Sequence, residues 1–138
     1  MENTVSLHQA LIYTMVTITA VDAKVGDIEL TRIGRLVQTL PVFKSFDPER
    51  LTHITQECAE ILQVDGGLDA VLALIGQAVP AILAETAYAL AVEIAVADLN
   101  IAREEIRFLA RLRDALNLDK LVTSAIERSA TARYQSAP

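Results

Sequence analysis

One acidic pattern occurs twice in this chain, at positions 76 apart. In each copy an aspartate is followed seven positions later by a glutamate, so that Asp22 and Glu29 correspond to Asp98 and Glu105. Apolar residues around the two copies also correspond: Val25 with Ile101, Leu30 with Ile106, Ile33 with Leu109, Leu36 with Leu112, and Leu40 with Leu116. The duplication predicts a fold of two similar halves, related by a pseudo-two-fold axis.

The apolar residues recur three or four positions apart rather than alternating, which predicts helices and no strand. Pro41 and the run Asp65-Gly66-Gly67 interrupt this pattern, and Asp47 and Asp119 are candidate helix caps. Between these breaks the chain has room for about seven helices. Each of the two acidic turns then connects one helix to the next.

A chain of 138 residues with 52% hydrophobic residues suits one domain with a large core. We therefore expect a single all-α bundle of about seven helices over residues 1–138, with repeated halves at about 5–40 and 81–116 and a frayed tail from about residue 131. The segment 81–97 is apolar almost all round, which predicts the most buried helix.

The apolar spacing also predicts which face of each helix is buried. The first helix is expected to bury a single stripe that contains Leu11 and Met15. The helices after the second turn are expected to bury Ile106 and Leu121 with their apolar neighbours. Cys58 falls on an apolar stripe, so it is expected to be a small core residue rather than a nucleophile.

The net charge of −6 and the pI near 4.8 argue against a nucleic-acid partner, which would require a basic surface. Residues 70–97 form a largely apolar segment with only two charged residues, but Gln77 and Pro80 interrupt its apolar run, so no membrane span is expected. The N-terminus lacks a basic region, so no signal peptide is expected. The single cysteine needs no oxidising compartment. A cytoplasmic location is the resulting expectation.

The repeated carboxylates have two interpretations. If Gly26 and Ala102 are N-caps, Glu29 and Glu105 stand at the third helical position, where a glutamate can bind the N–H of the cap residue. Neither cap residue has a side chain to complete a capping box. Alternatively, the two turns lie together and their four carboxylates bind a cation, with oxygen ligands favouring Ca²⁺ or Mg²⁺.

Other functional signatures are missing from the sequence. The turns are not EF-hands, because Ile33 stands at the twelfth position, where a bidentate glutamate is required. There is no Gly-rich phosphate loop, no nucleophile elbow and no His-Glu-x-x-His motif. We therefore expect a protein that is not an enzyme.

The paired turns resemble the TerB-like domain of tellurite-resistance proteins. Each consists of an Ala/Val-rich helix end followed by Asp-x-x-(Val/Ile)-x-x-x-Glu, and the resemblance extends over nearly the whole chain. It is supported by residues 39–43, 87–91 and 125–128. The family pattern usually has glycine after each aspartate, where this chain has Ala23 and Leu99, and Ile28 replaces one glutamate of a Glu-Glu pair.

This resemblance implies an all-α bundle of about seven helices and a metal site, which here would be formed by Asp22, Glu29, Asp98 and Glu105. It also implies a role in tellurite resistance and stress response. The leading hypothesis is a non-enzymatic protein that binds a cation through these turns. The alternative is an interaction module whose acidic concavity docks a basic protein partner, with the turn carboxylates acting as helix caps.

Overall fold

The computed structural model describes residues 4–21, 25–97 and 100–138, and within them the chain forms α-helices and short 3₁₀ turns but no strand. The seven α-helices are α1 Leu7–Ala20, α2 Asp27–Thr39, α3 Leu51–Gln63, α4 Gly67–Ala78, α5 Ala84–Val96, α6 Arg103–Ala115 and α7 Lys120–Arg133. The 3₁₀ turns are Pro41–Phe43, Pro48–Arg50 and Ala81–Leu83. The predicted all-α architecture is confirmed.

Helices α1 and α5 form the centre of the bundle. They pack against each other, while α3 covers α1 and α7 covers α5. Every residue of α1 from 10 to 19 is buried, so the prediction that this helix buries a single stripe is wrong. Burial on all sides is possible because this stretch carries no charge. The Thr14 hydroxyl donates to the Ala10 carbonyl at 2.8 Å, which satisfies a buried polar group.

The predicted helix boundaries have clear local causes. Asp47 and Asp119 each accept a hydrogen bond from the backbone N–H two residues later, at 3.0 and 2.8 Å, and so both predicted caps are confirmed. Gly66 has a φ of +76°, a conformation that favours glycine. A Cβ on Gly67 would lie 2.0 Å from the Ile61 carbonyl oxygen, so α4 can approach the end of α3 only with glycine there.

Two apolar residues expected in the core lie at the surface instead. Ile106 is 57% exposed and Leu121 is 78% exposed. The buried residues of α6 are Glu105, Phe108, Leu109 and Leu112, and those of α7 are Thr123 and Ala130. Neighbouring helices therefore select a face that includes polar residues, which spacing of apolar residues alone does not reveal.

Some features of the described helices recur at positions 76 apart. Helices α2 and α6 begin and end at positions 76 apart. In the first half, Thr17 Oγ1 of α1 lies 3.5 Å from Cys58 Sγ of α3. At the positions 76 further on, Tyr134 donates a hydrogen bond to Glu93 Oε1 of α5 at 3.0 Å. The two contacts differ in chemistry, so the internal repeat and its two-fold axis stay predictions.

The end of α7 is attached to the bundle rather than frayed from residue 131. Arg133 Nη2 donates to Glu93 Oε2 at 2.5 Å, beside the Tyr134 hydrogen bond. Thr131 donates to the carbonyl four residues earlier at 2.9 Å, as Thr55 does at the equivalent position of α3. The helix therefore continues to Arg133, beyond the expected start of the tail.

Within the described residues, no single helix has both the length and the apolarity needed to cross a bilayer. Helix α4 together with residues 81–96 passes that test only as a pair, and this pair is bent by 112°.

Candidate ion-binding turns and the adjacent clefts

The two acidic turns lead into α2 and α6 in the same way. Gly26 and Ala102 are the N-caps of these helices, and both have extended backbones, with ψ of −178° and 158°. Glu29 and Glu105 therefore stand at the third helical position, where the first turn of a helix presents unpaired N–H groups. The predicted placement of both glutamates is confirmed.

Glu105 binds back to its own cap residue. Its Oε1 accepts the Ala102 N–H at 2.8 Å, and the side chain is buried. Alanine has no acceptor to return the bond, so half of a capping box is formed, as predicted. A complete box occurs at α1, where the Ser6 hydroxyl oxygen accepts the Gln9 N–H at 3.1 Å and Gln9 Oε1 accepts the Ser6 N–H at 2.8 Å.

Glu29 behaves differently at the equivalent position. Its carboxylate folds back toward Gly26: a Cβ built on that glycine would lie only 2.8 Å from Glu29 Oε2. Among the described residues, however, the Gly26 N–H makes no hydrogen bond to Glu29, and the cap has no side-chain bond. Capping therefore accounts for Glu105 better than for Glu29.

The two aspartates predicted as ligands, Asp22 and Asp98, lie outside the described residues, as do Ala23 and Leu99. Among the residues that are described, no three His, Cys, Asp or Glu side chains come close enough to hold a metal ion. The structure thus positions Glu29 and Glu105 at helix starts, and convergence of the four carboxylates stays a prediction.

A cleft of about 460 Å³, which we call the α6 cleft, lies where the end of α1 meets the start of α6. Its lining includes Val21 at the end of α1 and Glu104 and Phe108 of α6. Arg111, at the rim, forms an ion pair with Asp69 of α4. The last residues before the first acidic turn therefore lie beside the helix that follows the second turn.

A second cleft of about 330 Å³, the α2 cleft, lies where the end of α5 meets α2. It is lined by Arg32, Arg35 and Leu36 of α2, by Glu93, Ile94 and Ala97 at the end of α5, and by Tyr134. Each acidic turn thus follows a helix whose end lies against the second helix of the other half. This crossed arrangement of the described residues, with Val21 beside α6 and Ala97 beside α2, was missed by the sequence analysis.

The cysteine and the two histidines, which could act as a nucleophile or as metal ligands, contact residues outside the two acidic turns. Burial raises the pKa of the Cys58 thiol to about 11, and the side chain is fully buried, so its prediction as a core residue is confirmed. His8 Nε2 lies 2.8 Å from the Val42 carbonyl oxygen, and its ring centroid is 5.6 Å from that of Phe43. His53 Nε2 lies 3.4 Å from a Glu57 oxygen on the same helix.

Comparison with known proteins agrees with this architecture. The family model for tellurite resistance protein TerB matches residues 8–128. The chain belongs to the TerB family. No curated protein and no solved structure matches it significantly. The matched region of this TerB-family chain contains both acidic turns. It also contains all of the described helices, apart from the first residue of α1 and the last five residues of α7.

Proposed function

We propose that this TerB-family protein, a tellurite-resistance-like protein, is a non-enzymatic cytoplasmic protein that acts in stress response by binding a divalent cation. In this proposal Asp22 and Asp98 are ligands, and Glu29 and Glu105 complete or orient the site. Oxygen ligands alone favour Ca²⁺ or Mg²⁺ over softer metals. The observation that carries the proposal is the Asp–Glu pair that the sequence repeats 76 positions apart, with Glu29 and Glu105 each at the third position of a helix.

Two features of the described residues support a role beyond capping. First, the Gly26 N–H makes no bond to Glu29, so capping does not explain a glutamate at this position of the first turn. Second, the end of α1 borders the α6 cleft beside Glu104, which favours turns that face one another. The hydrogen bond of Glu105 is compatible with a cation, because a carboxylate has several acceptor positions.

The second candidate function is a protein-interaction module whose acidic concavity docks a basic partner. The observation that favours it is the capping bond of Glu105, which gives one of the four carboxylates a structural role. In that case the acidic turns are helix starts whose charge attracts a cationic surface, and no ion is required.

The test is a titration of the protein with Ca²⁺, Mg²⁺, Mn²⁺ and Zn²⁺ while its melting temperature is followed. A ligand that binds only the folded state raises the melting temperature in a saturable way. We expect a rise of a few degrees with Ca²⁺ or Mg²⁺ that is absent in the double variant Asp22→Asn, Asp98→Asn. Isothermal calorimetry on the same samples checks for heat that saturates at a fixed stoichiometry.

The matched control is the double variant Glu60→Gln, Asp65→Asn, which removes the same two negative charges from exposed positions at the end of α3. It should keep the full cation response. If neither ion shifts the melting temperature of the folded wild-type protein, the cation proposal is wrong. If the control loses the response as well, the ions act only through net charge, which also contradicts the proposal.

A further inference from the structure

Helix α4 covers α6 beside the α6 cleft. It packs against α6, and its Asp69 forms an ion pair with Arg111. The approach is close, because a Cβ on Gly76 of α4 would lie 3.2 Å from the Ala115 carbonyl oxygen. Under this cover, Leu112 of α6 is fully buried.

The equivalent face of α2 has no such cover. Arg35 and Leu36 stand 76 positions before Arg111 and Leu112. Helix α2 packs against α1, α5 and the 3₁₀ turns at 41–43 and 48–50, and within the described part of the chain no helix lies on it as α4 lies on α6. Arg35 is exposed and Leu36 is half-buried. The α2 cleft is therefore an apolar and basic strip open to a partner.

The charges of the α2 cleft are unbalanced. The guanidinium groups of Arg32 and Arg35 form no ion pair or hydrogen bond with any described residue. Glu93 is already bound to Arg133 at 2.5 Å and to the Tyr134 hydroxyl at 3.0 Å. Among the described residues that line the cleft, two arginines without an ion-pair partner therefore lie beside one glutamate that is already paired, in a chain whose net charge is −6. A local excess of positive charge on an acidic protein attracts a negatively charged partner.

We propose that the α2 cleft docks an acidic helical segment of a partner protein. The carboxylates of that segment would pair with Arg32 and Arg35, as Asp69 pairs with Arg111 in the equivalent cleft. A helix is inferred because a helix fills the same place in the other half. A polypeptide is inferred rather than a small anion because Leu36 and Ile94 add apolar surface beside the charges.

The test uses a fluorescein-labelled helical peptide of about 18 residues, long enough to be helical, in which Glu and Leu share one face of an alanine helix. Its binding is followed by fluorescence anisotropy, and the contact surface by amide chemical shifts of the full chain. We expect the double variant Arg32→Gln, Arg35→Gln to bind about tenfold more weakly, since two partly exposed ion pairs are lost. The control, Arg103→Gln plus Arg128→Gln, removes two exposed arginines elsewhere and should bind normally.

Three results of the binding experiments, and one of sedimentation, would overturn the proposal. The first is equal binding of the peptide by the two double variants. The second is equal binding of the same peptide with every Glu replaced by Gln. The third is a response to inorganic phosphate as strong as that to the peptide, which would indicate a small-anion site. Sedimentation of the protein alone is also measured, because self-association that depends on Arg32 and Arg35 would identify a second copy as the occupant and contradict the proposal.

Discussion

The clearest energetic difference between the two acidic turns concerns their glutamates. Glu105 is buried and accepts the Ala102 N–H at 2.8 Å, whereas Glu29 makes no such bond to Gly26. Replacing each glutamate by alanine should therefore have unequal effects on stability, although the two residues occupy equivalent positions. We predict that Glu105→Ala is clearly the more destabilising change.

The magnitude follows from the bonds lost. A hydrogen bond to a charged group contributes about 1.5–3 kcal/mol, and a carboxylate in the first helical turn adds about 0.3–1 kcal/mol through the helix dipole. Glu105→Ala loses both, so the free energy of unfolding should fall by about 2–4 kcal/mol. Glu29→Ala loses only the dipole contribution and should cost about 0.3–1 kcal/mol. Glu105→Gln keeps an acceptor and should lie between them.

The assay is equilibrium unfolding in urea, followed by circular dichroism at 222 nm, a wavelength that reports helix content. All measurements are made in EDTA, so that any cation linked to the turns does not contribute. Glu104→Ala is the matched control, because Glu104 is an exposed neighbour in the same helical turn. Equal losses for Glu29→Ala and Glu105→Ala, or a loss below about 0.5 kcal/mol for Glu105→Ala, would refute this account of the second turn.

Two further predictions concern the second cap and the buried thiol. Ala102→Ser should complete the half-formed capping box and raise the free energy of unfolding by about 0.5–1.5 kcal/mol, measured in the same urea assay; no gain would contradict this geometry. The pKa of Cys58 is raised by burial from 9.0 to about 11, so the stability it provides is complete below pH 9 and is lost as the pH rises toward 11. Cys58→Ala should therefore show a shallower loss of stability between pH 9 and 10 than wild type, and an equal slope would refute this.

The sequence determined much of the local structure because local rules govern it. Helix starts at Asp47 and Asp119 depend on a side chain two residues from its bonding partner, and the break at Gly66 depends on one backbone conformation. The repeat placed Glu29 and Glu105 at the third position of their helices for the same reason. Such relations lie within a few residues and can be predicted from one chain.

The tertiary structure decided which faces are buried and which elements meet. Ile106 is exposed although its spacing is that of a core residue, while Glu105 beside it is buried, because the position of the neighbouring helices selects the face. The attachment of Tyr134 to Glu93 joins residues 41 positions apart. Periodicity within one helix contains no information about such a contact.

For the repeated acidic turn, the sequence by itself determined the fold class, the duplication and the position of each glutamate. Only the tertiary structure distinguished Glu105, which binds its cap residue, from Glu29, which does not. Only the tertiary structure showed that α4 covers one of two equivalent clefts and leaves Arg32 and Arg35 open in the other. The physical reason is that a repeated sequence pattern specifies similar helices, whereas the helices that pack against each copy depend on the rest of the chain.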